Sequence, residues 1–312
     1  MGDTLDPALE AVIHDVRGWS GSDVGITPIE AGITNRNFVV DGAAIVVRLP
    51  GRDTELLGID RSAEHLAALA AATAGVGPEG VAFLADRGVL VTRFVPRTPI
   101  LVADLRREDV LRRVVRTIRR FHNCPPIPAT FPVFRIIERH RDLAAARGIA
   151  IPTECGDAHA IASRIEAAFS RTPAPKTTCH DDLLNANLLS DGDHVWLIDY
   201  EYAGVGDPYF DLADFSINND MDEAACATLL KLYFGAASDV RRARLGLIRI
   251  VSDLRKTMWG VVQQAISTLE VDYVAYAAEH FARCLANAKD GRVNEWLKAA
   301  ERESGWTNIA PS

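Results

Sequence analysis

The sequence lacks paired cysteines and long apolar runs. Its 5 cysteines are scattered along 312 residues without a CxxC spacing, which argues against a disulfide framework and against a zinc site. No apolar stretch approaches the roughly 20 residues that a membrane-spanning helix needs, and the acidic start MGDTLDPALE does not resemble a signal peptide. We therefore expect a cytoplasmic protein with buried free thiols and no insertion into a membrane.

An excess of positive charge is also missing. The net charge is −8, and nearly all of the cationic residues are arginines. General affinity for nucleic acid needs a basic surface, so we expect no nucleic-acid partner. With 48% hydrophobic and 24% charged residues, the chain can bury a large core. Its length fits two domains, or one two-lobed enzyme with its active site between the lobes.

The first 95 residues predict a five-stranded sheet with one inserted helix. Short β-rich runs are bounded by turn residues such as Asp-Gly and Arg-Gly, and an alanine-rich segment at 60–74 predicts the helix. The predicted strands cover residues 24–30, 37–41, 43–49, 81–86 and 88–95. We expect residues 1–95 to form an N-terminal nucleotide-binding lobe.

Helices are predicted to dominate after the PRTP segment at 96–99, because apolar residues recur at helical spacing from there on. The predicted helices cover residues 104–122, 134–147, 157–170 and much of the chain from about 208 to the end. A strand–loop–strand unit interrupts them. The fold class is therefore α+β, with residues 96–312 as a larger, mainly helical C-terminal lobe.

The stretch CHDDLLNANLLSDGDHVWLIDYE, residues 179–201, contains the parts of a phosphoryl-transfer site. Such transfer needs a group that orients the hydroxyl nucleophile and a metal ion over the phosphates. Mg²⁺ prefers hard oxygen ligands from carboxylates and amides. In the order HxDxxxxN–strand–Asp, Asp182 is the predicted base, while Asn187 and Asp199 are the predicted Mg²⁺ ligands.

The predicted sheet supplies a matching ion pair. Arg48 lies on the third strand and Glu64 on the helix, at a spacing that allows a cation for the phosphates to pair with a carboxylate. Each piece alone is ambiguous, since HxD occurs by chance and an Arg–Glu pair is more often structural. The order of all the pieces along the chain favours a kinase.

These motifs resemble those of the protein-kinase-like phosphotransferases that act on small molecules, a superfamily of aminoglycoside phosphotransferases and choline/ethanolamine kinases. HDDLLNANLL and LIDYEYAGVGDPYFDLADF are similar to its HNDxxxxN, LIDFEY and FDI/LxxxF patterns. The resemblance covers most of the chain and implies a two-lobed kinase-like fold. It also implies that Asp211 ties the catalytic loop through backbone hydrogen bonds.

The N-terminal lobe resembles the opening of the choline kinases. AGITNRNF is similar to a Gly–x–Thr/Ser–Asn loop that covers phosphates, and Arg48 stands where protein kinases have lysine. The resemblance implies that Arg48, paired with Glu64, reaches the α- and β-phosphates, and that a hinge follows the fifth strand. The nucleotide-binding residues it implies are Gly32, Thr34, Asn35, Arg48, Thr92, Arg93, Phe94 and Val95.

The segment at 258–281, MWGVVQQAISTLEVDYVAYAAEHF, resembles the choline kinases and not the aminoglycoside enzymes. A quaternary ammonium is recognised by aromatic faces. By periodicity alone Trp259 and Tyr276 fit core packing better, but they and Tyr202 match the family's aromatic cage. The resemblance therefore implies that these three residues and Asp182 bind the acceptor.

The implied cage is incomplete. Lys256 replaces a further tryptophan of the family, and the region NNDMDEAA has no aromatic residue where another cage tyrosine is expected. A lysine facing inward opposes a trimethylammonium group. A smaller amine remains an alternative, bound by polar residues among Asn218, Asn219, Asp220 and Asp222.

The resulting prediction is an ATP- and Mg²⁺-dependent kinase that phosphorylates the hydroxyl of a small amino alcohol, with choline as the first candidate and ethanolamine as the next. The alternatives are a kinase for an aminoglycoside, a sugar or another metabolite, and a nucleotide-binding pseudokinase without turnover. The oligomeric state is left open by the sequence, a homodimer being one option.

Overall fold

The structure is a computed structural model, which describes residues 7–16, 25–29, 33–152 and 154–306. Within these ranges no helix combines the length and the apolar composition that would let it cross a bilayer.

An antiparallel sheet of five strands occupies the N-terminal part, in the order β1-β2-β3-β5-β4. Along β3 the side chains of Ile45, Val47 and Leu49 are buried in one apolar cluster, whereas Arg48 points to the other face, as the period of two requires. The predicted five-stranded sheet is confirmed. The strands are β1 (Ile26–Ile29), β2 (Arg36–Val40), β3 (Ile45–Leu49), β4 (Gly80–Leu84) and β5 (Val89–Arg93).

Two helices accompany this sheet, where the sequence predicted one. The helix α1 (Pro7–Asp15) precedes β1 and buries Leu9, Val12 and Ile13 against the apolar face of the sheet. The predicted helix is α2 (Arg61–Thr73), and its first turn is capped by Asp60, which accepts hydrogen bonds from the backbone of Ser62 and Ala63. The one helix inserted between the strands is therefore confirmed, whereas α1, which precedes the sheet, was not predicted.

The remainder is mainly helical, as predicted. The 28-residue helix α8 is its centre and packs against α4, α6, α9 and α10. The helices are α3 (Glu108–His122), α4 (Val133–Ala146), α5 (Cys155–Arg171), α6 (Pro208–Asn218), α7 (Glu223–Phe234), α8 (Asp239–Ile266), α9 (Tyr273–Ala288) and α10 (Val293–Ala300). The α+β class is confirmed.

Short strands hold the loops that carry the predicted site. Strand β7 pairs with β10, and β8 lies between β6 and β9 in a second small sheet. These pairings fix both ends of two loops, 180–187 and 198–203. The strands are β6 (Thr98–Pro99), β7 (Thr177–Cys179), β8 (Leu188–Ser190), β9 (Val195–Leu197) and β10 (Gly204–Gly206).

Candidate active site

The backbone of the loop after β7 is fixed by hydrogen bonds to a buried carboxylate on α6. Asp211 accepts hydrogen bonds from the backbone N–H of His180 at 2.8 Å and of Asp181 at 2.6 Å. Its Oδ2 also lies 2.8 Å from Nε2 of His122. Burial acts to raise the pKa of Asp211, but the bond from His122 and its other partners keep this pKa below the usual value. The resemblance implied this tie between Asp211 and the loop backbone.

Asp182 follows on the same loop, with its carboxylate next to an ammonium group. Lys256 Nζ lies 3.2 Å from Asp182 Oδ1 and 3.3 Å from Oδ1 of Asp214. Burial would raise the pKa of Asp182, but Lys256 and then Arg255 hold it below the usual value. The carboxylate is therefore ionised at neutral pH, as a group that accepts a hydroxyl proton must be.

Backbone and amide hydrogen bonds connect Asp182 with the two predicted metal ligands. Asn187 Nδ2 donates to the backbone oxygen of Asp182 at 3.0 Å. The backbone N–H of Ile198 donates to the backbone oxygen of Asn187 at 3.1 Å. Ile198 immediately precedes Asp199, whose φ of 69° lies in the left-handed region. The structure thus brings the three predicted residues into one connected unit.

The donor set of this unit fits Mg²⁺. The bond from Asn187 to Asp182 uses the amide nitrogen, so the amide oxygen is the atom that can coordinate a metal. Asp199 Oδ1 is buried, and its contact in the described part of the chain is an ion pair with Arg48 at 2.7 Å, without a hydrogen bond of good geometry. A carboxylate and an amide oxygen are ligands that Mg²⁺ takes alongside phosphate oxygens and water.

Arg48 joins the sheet to this unit. Its Nη1 lies 2.5 Å from Glu64 Oε1 and 2.7 Å from Asp199 Oδ1. Burial would lower the pKa of Arg48, but Asp199 and Glu64 raise it above the usual value. The two side chains that were expected to pair are in contact, and Arg48 also reaches the predicted metal ligand.

A second arginine and a second glutamate enlarge this network, and sequence reasoning missed both. Arg61 Nη1 lies 2.8 Å from Glu64 Oε2 and 3.4 Å from Glu201 Oε2. Arg61 Nη2 donates to Asn35 Oδ1 at 2.8 Å, and Asn35 Nδ2 donates to Glu201 Oε2 at 2.7 Å. The signals in the sequence were the i,i+3 spacing of Arg61 and Glu64 and the short distance from Asp199 to Glu201.

The phosphate loop and the hinge are described only in part. Gly32 lies outside the described residues, and Thr34 is half-buried with its carbonyl oxygen against Gly51. At the hinge, the backbone N–H of Phe94 donates to Ala44 at 2.8 Å. Thr92 and Arg93 end strand β5, and Phe94 and Val95 follow it. Their contact with a nucleotide stays a prediction.

The buried carboxyl group of Glu201 is expected to make the stability of the chain depend on pH. Burial and the neighbouring Asp199 raise its pKa to about 8. Between about pH 4.5 and about pH 8, the folded chain therefore holds a proton that the unfolded chain releases, and stability falls as pH rises through this window. We expect Glu201→Gln to remove this contribution, which has a slope of up to ~1.4 kcal/mol per pH unit.

Urea unfolding at several pH values within this window measures the effect. The free energy of unfolding of the wild type, minus that of Glu201→Gln, should decrease steadily as the pH rises. Glu79→Gln, at an exposed position near Arg93, is the control and should leave the pH dependence unchanged. Parallel curves for the wild type and Glu201→Gln would contradict the expectation.

The three aromatic residues predicted to bind the acceptor do meet. Trp259 Nε1 donates to the hydroxyl of Tyr202 at 2.7 Å. The rings of Trp259 and Tyr276 lie edge to face, 5.3 Å apart. Tyr276 also packs against His280 at 4.6 Å. Trp259 and Tyr202 are buried and Tyr276 is half-buried, so the rings contact one another closely.

Two cations of α8 lie among these groups. Lys256 faces inward and is 1% exposed, and Arg255 is 2% exposed. The guanidinium carbon of Arg255 lies 4.3 Å from the ring centre of Tyr202. Sequence reasoning left the direction of Lys256 open and missed Arg255, although both flank Trp259 on the same helix.

Of the four polar residues considered for a smaller amine, Asn218 reaches the loop of Asp182, because its Nδ2 lies 3.4 Å from the backbone oxygen of Leu183. Asn218 Nδ2 donates to Asp214 at 2.8 Å, and Asn219 Nδ2 donates to the backbone of Phe215. Asp220 is exposed, and Asp222 caps α7. Asp222 also lines a separate cavity of about 740 Å³, between α7, α8 and α10, which contains none of the residues predicted for catalysis, the metal or the aromatic cage.

The groups that phosphoryl transfer requires, a carboxylate for the hydroxyl, an amide–carboxylate pair for a metal and a fixed cation, are grouped here as the sequence predicted. The model of the phosphotransferase enzyme family matches residues 25–247. This match covers more than half of the chain, so the chain belongs to that family.

The chain is also similar to individual proteins of known name. The structure is similar to a choline/ethanolamine kinase family protein from Mesorhizobium loti, with a TM-score of 0.82 and 27% identity over 95% of this chain and 98% of the other. It is also similar to LicA in complex with AMP, with a TM-score of 0.73 and 18% identity over 92% and 99% of the two chains. Ethanolamine kinase 2 of Mus musculus is 23% identical over 317 residues, 89% of this chain and 80% of that protein.

The predicted resemblance to choline/ethanolamine kinases and the protein-kinase-like fold are therefore confirmed, as is the prediction of a phosphotransferase. The boundary between the lobes at residues 95 and 96 and the roles of the individual site residues stay predictions.

Proposed function

We propose that this chain transfers the γ-phosphoryl group of ATP to the hydroxyl of a small alcohol, with Mg²⁺ bound by Asn187 and Asp199. The single observation that carries the proposal is the connected unit around Asp182. Its ionised carboxylate is bonded through the loop backbone to Asn187, and the carbonyl of Asn187 receives the N–H next to Asp199.

In this mechanism, Asp182 orients the acceptor hydroxyl and accepts its proton as the bond to phosphorus forms. Lys256 keeps the carboxylate ionised, and Asp211 fixes the loop backbone on which it stands. Arg48, held by Glu64, contributes a fixed positive charge toward the nucleotide phosphates. Asn187 and Asp199 would hold Mg²⁺, which when bound would supply positive charge for the phosphate oxygens.

Choline or ethanolamine stays the prediction from the sequence for the acceptor. The names of similar proteins, among them a choline/ethanolamine kinase family protein and an ethanolamine kinase, support an amino alcohol. The meeting of Tyr202, Trp259 and Tyr276 supports an acceptor site near Asp182, but the positive charges of Arg255 and Lys256 in the same place oppose a cation.

The test is an assay of ADP release with a panel of alcohols, with the phosphorylated product identified by mass spectrometry. The panel contains choline, ethanolamine, methylated ethanolamines, aminoglycosides and simple sugars. We expect ADP release that depends on one class of alcohol and stops when EDTA removes the metal. Nucleotide binding without transfer to any alcohol would contradict the proposal and favour a pseudokinase.

A further inference from the structure

The carboxylate that receives the acceptor hydroxyl already has a cation of the protein at its side. Lys256 Nζ bridges Asp182 Oδ1 at 3.2 Å and Asp214 Oδ1 at 3.3 Å. Asp214 is itself fixed, since it accepts hydrogen bonds from Ser252 Oγ and the backbone N–H of Leu183. The ammonium is therefore held in place by two carboxylates, and Lys256 together with the adjacent Arg255 sets two positive charges against these two negative ones.

The aromatic surface near this carboxylate is also engaged by a cation of the protein. The Arg255 guanidinium carbon lies 4.3 Å from the ring centre of Tyr202 and 5.7 Å from that of Phe131. A cation within about 6 Å of a ring centre is in cation–π range. Arg255 is thus already paired with Tyr202, one of the three rings predicted to bind a ligand ammonium.

The remaining aromatic rings offer little open face. The Trp259 ring contacts both Tyr276 at 5.3 Å and Tyr273 at 5.8 Å, edge to face in each case. Its N–H is used by the Tyr202 hydroxyl. Tyr276 has His280 at 4.6 Å as a further neighbour. These rings pack against one another, and Tyr202, which accepts the Trp259 N–H, also contacts Arg255.

The positions of Lys256 and Arg255 affect which acceptor alcohols can bind beside Asp182. Only two carbon atoms separate the hydroxyl of choline from its nitrogen, so a choline hydroxyl bonded to Asp182 brings its positive charge close to Lys256. Like charges in a partly buried site repel much more strongly than in water. Removing the cation from the ligand removes that repulsion, and an anionic group would gain attraction from Arg255 and Lys256.

We propose that Lys256 and Arg255 determine acceptor specificity by excluding cationic alcohols, and that the alcohol phosphorylated by this chain carries no positive charge. This inference rests on the proposed function, because it assigns the acceptor of the same site. The substrate class is an uncharged or acidic small alcohol, and choline and ethanolamine lie outside it.

The experiment compares alcohols of similar size and different charge. The probes are choline, its carbon isostere in which a tert-butyl group replaces the trimethylammonium group, and β-hydroxypropionate as the acidic member. Calorimetry in the presence of Mg²⁺ and a non-hydrolysable ATP analogue gives the Kd of each probe. We expect the wild type to bind the uncharged isostere about tenfold or more tightly than choline, because charge is the main difference between them.

Lys256→Met removes the ammonium and keeps the length of the side chain. We expect this variant to shift the ratio of the two Kd values toward choline by about tenfold or more, since Asp182 and Asp214 then lack their cation. Lys289→Met, at an exposed position on α9's C-terminal side, is the matched control and should leave the ratio unchanged. Should Lys256→Met fail to fold, Lys256→Met combined with Asp214→Asn keeps the buried charge balanced.

Tighter binding of choline than of the isostere by the wild type overturns the inference. So does an unchanged ratio in both Lys256 variants, or the absence of binding of all three probes. The proposed function fails differently: the charge preference holds in calorimetry, but no alcohol of any charge is phosphorylated from ATP. The Kd of β-hydroxypropionate relative to that of the isostere then shows whether the site prefers an acidic or an uncharged alcohol.

Discussion

Asp182→Asn is expected to lower kcat by about 10²- to 10⁴-fold, the range that a positioned general base contributes, while the Kd for nucleotide stays within about twofold of the wild type. The amide can still accept a hydrogen bond from Lys256, but it lacks the basicity to take the hydroxyl proton. The loop backbone depends on Asp211 and not on the Asp182 side chain, so the fold of the site is preserved.

The neighbouring residue provides a closely matched control. Asp181 carries the same carboxylate on the same loop, but neither of its buried oxygens has a hydrogen-bond partner in the described part of the chain. Its φ of 64° suits asparagine, which tolerates the left-handed region. Asp181→Asn should therefore keep wild-type turnover with the acceptor that proves active. Equal turnover of Asp182→Asn and the wild type would show that Asp182 is not the base.

The parts of the site that were predictable from the sequence are those encoded by local spacing. HxDxxxxN and the carboxylate after the next strand lie within one short stretch, so their order alone predicts a shared loop region. Arg48 was placed on the third strand by its spacing to Glu64, and in the structure alternation along β3 turns it away from the apolar face of Ile45 and Val47. The five-stranded sheet was predicted from short β-rich runs bounded by turn residues.

The parts that escaped prediction depend on contacts between distant segments. Arg61 and Glu201 are 140 residues apart, and no local pattern reports that they meet. The inward direction of Lys256 is set by how α8 packs against α6 and the loop after β7, which the helical period alone does not determine. The helix α1 is a different case, because the spacing of Leu9, Val12 and Ile13 carried a helical signal in a short segment.

The interpretation of the aromatic residues shows how a correct placement can carry a different chemistry. Tyr202, Trp259 and Tyr276 are neighbours, as the resemblance implied. A cation cage, however, needs both aromatic faces and uncompensated negative charge nearby. Here Arg255 lies on Tyr202 and Lys256 lies beside Asp182, so neighbouring substitutions change what the same aromatic residues can recognise.

Asp199→Asn is the second change with a large expected effect. An asparagine keeps one oxygen but loses the negative charge that a carboxylate offers to Mg²⁺. It also removes one of the two carboxylates that Arg48 Nη1 contacts, so that only Glu64 remains. We expect kcat to fall by about 10²-fold or more, since stabilisation of charge on the transferring phosphoryl group is the main source of catalysis in such enzymes. The concentration of Mg²⁺ that gives half-maximal activity should rise.

The measurement is turnover as a function of Mg²⁺ concentration for the wild type, Asp199→Asn and Asp193→Asn. Asp193 is exposed in the turn between β8 and β9, so its substitution controls for a general loss of negative charge. Loss of kcat in Asp199→Asn with an unchanged Mg²⁺ dependence would assign to Asp199 a purely structural link with Arg48. A rise in the Mg²⁺ requirement confined to Asp199→Asn would instead identify it as the metal ligand, because the two carboxylates are close in sequence and differ in burial and in contact with Arg48.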